Sequence, residues 1–440
     1  MKKLTAYIEQ LNSKLNQSSL SKRLFEGISW TLIGNMSGKF LQLVAFICVA
    51  RILGKEEYGQ VGIVRSTLMM FLIFSSASMG ITATRYIAKY RNSNPYKVYE
   101  VYRFTQRTVI WLGLIFSVLV FLFSSFIAER QLNSIHLSKA LKIGAATLFM
   151  MTLSSVLTGS LNGFERFKKL GINTAVNGLI QLVCVVVGAH YGGINGVILG
   201  LGVASFILLF QLYFALRNDL KLTRSASKGP DEERFNAKLV FFKFSLPAIL
   251  QGLVFIPVLW WAKTYLIDQA DYGEMAIFDV AEQWYYAVLF IPTSLSTIIL
   301  PLLTNVNYNS SRDQYDKLVK FNLVINIGIS FVIAGIIALF SPLIYKFYGS
   351  TFTDFRPLLI LLVTVVISSA NNVFGQVIAS KGIMWIGFGV NLLWAVWLVL
   401  FSFVFVGKMH MGAVGLAYAL LVSYFLHSLA QGTIALKLKI

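Results

Sequence analysis

Carboxylates are scarce in this chain. Asp and Glu number 19 in 440 residues, against 38 Lys and Arg, and almost none falls at the centre of an apolar run. The four histidines, His136, His190, His410 and His427, are scattered and show no metal-ligand spacing. Three of them lie near helix ends, where a solvated surface histidine is the plain reading, and none shows convincing polar partners within a span. The two cysteines, Cys48 and Cys184, both fall inside apolar runs, so they make no disulfide framework. No Gly-x-x-x-x-Gly-Lys-Ser/Thr loop is present, so the chain is not expected to hydrolyse a nucleotide triphosphate itself. These absences remove the common enzyme constellations; no cofactor and no metal site are implied.

The chain has apolar length instead. It is 56% hydrophobic and only 13% charged, which no ordinary soluble domain matches. Runs of about 20 apolar residues, each able to cross the ~30 Å hydrocarbon layer, recur throughout. The formal charge of +19 belongs to helix ends, as the positive-inside rule requires. With no extramembrane domain to present a groove, nucleic acid is not an expected partner. The first apolar run is too long and begins too late for a cleavable signal peptide.

Twelve spans are predicted, at about 27–50, 60–83, 108–128, 141–162, 170–190, 193–216, 239–266, 275–304, 319–341, 355–380, 384–406 and 412–435. The connections alternate in charge. The N-terminus, every second connection after it and the C-terminus hold 25 Lys and Arg; the opposite set holds 6. That asymmetry places both termini in the cytoplasm of a multi-pass membrane protein. Four regions follow: a polar, amphipathic, cytoplasmic segment over 1–25, a six-helix lobe over 26–217, a cytoplasmic linker over 218–238 and a second six-helix lobe over 239–440. Ala50-Arg51 with Tyr58-Gly59 is echoed by Ala262-Lys263 with Tyr272-Gly273, at the same end of the first helix of each half. Two halves running in the same direction fit repeats related by an axis along the membrane normal.

Within the spans the conspicuous residues are cations. Lys39 sits about half a helix from either end of the first span, too deep to snorkel comfortably. Its charge is expected to face a water-filled cavity. Asn35 and Gln42 share its helix face. Arg65 and Lys263 lie nearer helix ends, where snorkelling and cavity lining are both open readings; Lys243 reads as snorkelling. Asp279 and Glu282, three residues apart on one face, read either as an interfacial helix start or as counter-charges and proton or cation sites. Trp260, Trp261, Trp284, Tyr285 and Tyr286 fit an aromatic belt, with stacking on sugar rings as the alternative. Pro247, Pro257, Pro292 and Pro301 are expected to break the seventh and eighth helices, which become the candidate moving elements.

The run Ala50-Arg-Ile-Leu-Gly-Lys-Glu-Glu-Tyr-Gly59, followed by Gly80-Ile-Thr-Ala-Thr-Arg-Tyr-Ile-Ala88, resembles the opening hairpin of the polysaccharide flippase family. That family belongs to the multidrug/oligosaccharidyl-lipid/polysaccharide exporter superfamily. Tyr272-Gly273, Ala281-Glu282 and Ile299-Leu-Pro-Leu-Leu-Thr304 extend the likeness into the second half. The resemblance implies an all-α integral membrane fold: twelve helices in two six-helix bundles facing each other across a central cavity, here cationic. It implies a polyprenyl-diphosphate-linked oligosaccharide as substrate, bound through Lys39, Arg65, Lys263, Asn35 and Gln42 and moved across a bacterial inner membrane. H+ or Na+ is a possible coupling ion and Asp279 and Glu282 are the coupling candidates. A glycan polymerase is a possible partner, and a monomer is expected. Relatives often carry an acid near the end of the seventh helix; this chain has Ala262-Lys263 there, so that role does not carry over. Two rivals remain. A cation-coupled drug exporter of the same fold should favour acidic residues in its cavity. A membrane enzyme, polymerase or acyltransferase, should show a long external loop or an intramembrane histidine with polar partners.

Overall fold

A computed structural model describes residues 19–224, 237–240, 246–309, 312–380 and 383–437, and among them the secondary structure is helical throughout, without a strand. This follows from the composition: in lipid every backbone N–H and C=O must be satisfied within its own segment, which a helix achieves. The long helices are α1 (Ser19–Ser76), α2 (Met79–Tyr90), α3 (Pro95–Leu122), α4 (Leu137–Gly163), α5 (Phe167–Arg224), α6 (Leu246–Gln269), α7 (Tyr272–Asn309), α8 (Arg312–Leu339), α9 (Ser341–Tyr348), α10 (Arg356–Ser380), α11 (Met384–Ser402) and α12 (Gly412–Lys437). Among the described residues, eight continuous stretches are long and apolar enough to cross a membrane. Large apolar side chains such as Phe40, Trp111, Val324 and Phe331 stand exposed on the outer surface, the pattern expected where lipid replaces water as solvent.

The predicted polar turn over 51–59 shrinks to one residue. Helix α1 runs on to Leu53, turns at Gly54 (φ 79°, ψ 177°) and continues. Gly193 (φ 54°, ψ −138°) does the same inside α5. Only glycine takes these backbone angles without steric cost, so one residue replaces a loop. The predicted second span, 60–83, is corrected. It stops at Ser76, where Ala77 (φ 44°) and Ser78 (φ 52°) take left-handed conformations, and the chain resumes as α2. Left-handed geometry costs a non-glycine residue roughly 1–2 kcal/mol, and tertiary packing of the buried Ala77 and Met79 outweighs it. The proline expectation is corrected as well: α6 and α7 run unbroken through Pro257 and Pro292, and the side chains of Pro247 and Pro301 lie outside those described. Most of the predicted 1–25 segment and linker, and Lys243, also lie outside the described residues; the part of each that is described, from Ser19 and up to Arg224, is helix continuous with its neighbour.

Helices α1 to α5 pack on one another, as do α6 to α12, and α1 carries the main contact between the two groups by lying against α6 and α7. That seam is where the charged residues meet.

Candidate functional site

The second limb of α1 and the first turns of α7 approach closely. A Cβ on Gly59 would sit 1.9 Å from the Tyr272 carbonyl oxygen, and one on Gly62 would touch Asp279. This contact lets Arg65 reach across. Its Nη2 donates to both carboxylate oxygens of Asp279, at 3.0 and 3.1 Å. Gln283, one turn on along α7, donates 2.8 Å to Asp279 and 2.5 Å to the Tyr58 hydroxyl. The guanidinium rests 4.1 Å from the Phe46 ring centroid. Asp279 is 2% exposed, so its charge is tolerable only because it is paired and fully hydrogen-bonded. Trp260 of α6 adds a further link, donating to Thr67 of α1 at 2.9 Å.

Other bonds join the same end of the two groups. Arg51 Nε donates to the Phe347 carbonyl at 2.7 Å, Asn133 donates to Asp268 at 3.2 Å, and the Tyr272 hydroxyl donates to the Leu132 carbonyl. The Arg356 guanidinium, with help from Lys55 across the seam, holds the Asp354 carboxyl below the usual range. Tyr58 is wedged edge-on between Tyr348 and Phe352. The Gly54 and Gly193 end is therefore closed.

A second ion pair lies behind the first. Lys263 Nζ donates 2.5 Å to Glu282 Oε2, 4% and 8% exposed respectively, and both residues belong to the second group. Lys39 differs from both paired cations. It is exposed, has no carboxylate partner among the described residues, and places Nζ 5.1 Å from the centroid of the Phe290 ring on α7. Asn35 and Gln42 are half-buried one turn either side. Of the seven residues that the sequence nominates, four form two ion pairs and three stay with the open cation. Arg65 and Lys263 are occupied by carboxylates in this conformation, because a buried charge is held only by a partner.

The sequence reading missed one cluster. A cavity of about 410 Å³ lies within the second group, lined among others by Asn371, Asn372, Gln376, Asn391, His427 and Gln431. His427 Nε2 lies 3.2 Å from Asn391 Oδ1 and 3.4 Å from Gln431 Nε2. The expectation that no histidine has polar partners within a span is thus corrected. Gln431, one turn along α12, was a visible signal; Asn391, on another helix, was not. The aromatic group also divides: Trp261 stacks on Tyr265 at 5.3 Å, whereas Tyr285 is buried and donates to Ser368 at 2.8 Å.

The sequence profile of the family described as polysaccharide biosynthesis protein matches residues 24–307, well over half of the chain. The chain belongs to that family. The resemblance drawn from residues 50–59 and 80–88 therefore holds. Among curated relatives, the EPS I polysaccharide export inner membrane protein EpsE of Ralstonia nicotianae is 27% identical over 181 residues, 40% of each chain; the match spans well under half of that relative's length. Among solved structures, an inward-facing multidrug resistance MATE family transporter of the MOP superfamily superimposes with a TM-score of 0.74 at 14% identity, over 91% of this chain and 95% of that one. An outward-facing conformation gives 0.66 at 14% identity, over 93% and 94%. The lipid II flippase MurJ, inward closed, gives 0.71 at 14% identity, over 92% and 87%. At such identities the likeness establishes the fold. The chain is a multi-pass membrane protein with the fold of these transporters.

Proposed function

We propose that the chain is a flippase of the bacterial inner membrane that carries a polyprenyl-diphosphate-linked oligosaccharide outward for cell-surface polysaccharide synthesis. The single observation that carries this reading is Lys39. An ammonium at mid-span with no carboxylate partner among the described residues, beside Phe290 of the opposing helix group and flanked by Asn35 and Gln42, is expensive in a membrane unless it serves an anion. A diphosphate supplies that anion through charge-assisted hydrogen bonds. A cation-coupled drug exporter of the same fold would want a carboxylate at this place.

On this reading the chain has twelve spans in two six-helix lobes, monomeric, with both termini cytoplasmic and a central cationic cavity between the lobes. The broken helices α1 and α5 each supply two spans. The closed glycine end is the outer side. The better superposition on the inward-facing MATE transporter than on the outward-facing one supports an inward-facing state. Rocking of the lobes would part the Arg65–Asp279 seam, and Arg65 would then be released to the substrate. Glu282, paired with Lys263 and bordering the small aromatic cavity beside Tyr285 and Tyr424, is our candidate for H+ or Na+ coupling, with Asp279 as the lock between lobes. A glycan polymerase is the expected consumer of the product outside.

Depletion of the protein in its host is expected to leave lipid-linked oligosaccharide accumulating on the cytoplasmic side, protected from a glycosidase added to intact spheroplasts. Accumulated oligosaccharide that the enzyme digests from outside would show that flipping proceeds without this chain.

A further inference from the structure

The 410 Å³ cavity in the second lobe falls within the size range of small-molecule sites, ~300–1,000 Å³. Its chemistry is unusual for a membrane interior. Asn371, Gln376, His427 and Gln431 are each more than nine-tenths buried. Asn371 Oδ1, Asn372 Nδ2, Gln376 Nε2, His427 Nδ1 and Gln431 Oε1 all lack a protein partner. Buried polar atoms normally have partners, and leaving them without one is costly. Each of these atoms has under 1 Å² of accessible surface, so they belong to the wall behind the cavity, and what marks the site is the concentration of amides around one cavity inside a membrane protein.

The nature of the ligand follows from the lining. Among the described residues that line it there is no Lys, Arg, Asp or Glu. A diphosphate would find no counter-charge there, and a bare cation would find no carboxylate. Amides each offer a donor and an acceptor, and a hydroxyl group needs both. Behind them, Asn322 donates to Gln376 Oε1 at 3.1 Å and so fixes one amide. Tyr285, Tyr424 and Phe255 supply ring faces, and Trp394 packs 5.4 Å from Tyr424. Amides with aromatic faces suit a neutral, polyhydroxylated ring. Leu289 lines it, and the next residue on α7, Phe290, carries the ring beneath Lys39 Nζ.

We propose that this cavity is a subsite for a neutral, hydroxyl-bearing sugar of the substrate, separate from the Lys39 site that takes the diphosphate. The proposal rests on the flippase reading.

The test is native mass spectrometry of the full-length protein with two probes: undecaprenyl diphosphate, and the same lipid bearing one N-acetylglucosamine. Wild type is expected to hold the sugar-bearing lipid roughly tenfold more tightly, the scale of one or two hydrogen bonds to hydroxyls. Asn372→Leu/Gln431→Met should bind the two probes alike, keep the wild-type affinity for the bare lipid, and melt at the same or a higher temperature, because apolar groups replace unpaired polar ones. Gln431→Asn, which keeps the amide but withdraws it, should lose part of the preference and covers the case in which the double variant fails to fold. Equal binding of both probes by wild type overturns the sugar subsite and leaves the flippase reading standing; binding of neither overturns both. A double variant that keeps the sugar preference but loses stabilisation by sodium identifies a cation site and also overturns the proposal.

Discussion

Lys39→Ala is expected to abolish surface-glycan export while the protein stays in the membrane at its normal level. Truncating one partner of a desolvated charge pair typically costs about 2–5 kcal/mol, a loss of roughly 30- to 5,000-fold in binding. That effect would fall on substrate binding, because Lys39 has no carboxylate partner among the described residues and lies beside the Phe290 ring. Lys39 is exposed and its removal leaves no buried carboxylate unpaired among the described residues, so misfolding is not expected, and the quantity of protein in isolated membranes checks this. Lys39→Arg keeps the charge but changes a compact ammonium into a planar fork, and partial export is expected. Full export by Lys39→Ala would remove the residue from the substrate site.

The second large effect is expected at the seam. Asp279→Asn leaves the Arg65 guanidinium without its carboxylate in a site where Asp279 is 2% exposed and Gln283 and Tyr58 complete the network. Breaking a buried pair costs about 3–5 kcal/mol. Part of that should appear as a lower melting temperature and part as opening of the closed end. Spin labels at positions 191 and 409, both exposed, would then report a new, longer-distance population by electron–electron resonance. Glu282→Gln is the control. Its partner Lys263 lies in the same lobe, so the distance distribution should not change, whereas transport driven by an imposed proton gradient should fall. If Asp279→Asn leaves the distances unchanged, the pair is not the lock. If both variants transport normally under the gradient, neither carboxylate couples an ion.

Much of this arrangement was legible in the sequence, for physical reasons that differ by element. The helices were legible because a membrane demands about 20 apolar residues per crossing, and the match to α4, α10 and α12 is within a few residues at either end. The break at Ala77 and Ser78 was not, because two ordinary residues are forced left-handed by packing that no local pattern records. Lys39 stood out through its depth alone. The partners of Arg65 and Lys263 were readable only as a choice. Asp279 and Glu282 lie on one face, and which cation each one takes depends on how α1 crosses α7. The amide cavity was legible only in pieces: Asn371, Asn372 and Gln376 share one helix and His427 and Gln431 another, but no local pattern brings them together with Asn391 on a third.

Flipping in proteoliposomes measures the proposed function itself. The purified protein is reconstituted in sealed vesicles with a polyprenyl-diphosphate-linked oligosaccharide in both leaflets, and a glycosidase is added outside. Wild-type vesicles should lose essentially all of the sugar as lipid from the inner leaflet is delivered outward, while protein-free and Lys39→Ala vesicles should stop at about half. Digestion that stops at the same point with and without wild-type protein would contradict the assignment of this chain as the flippase.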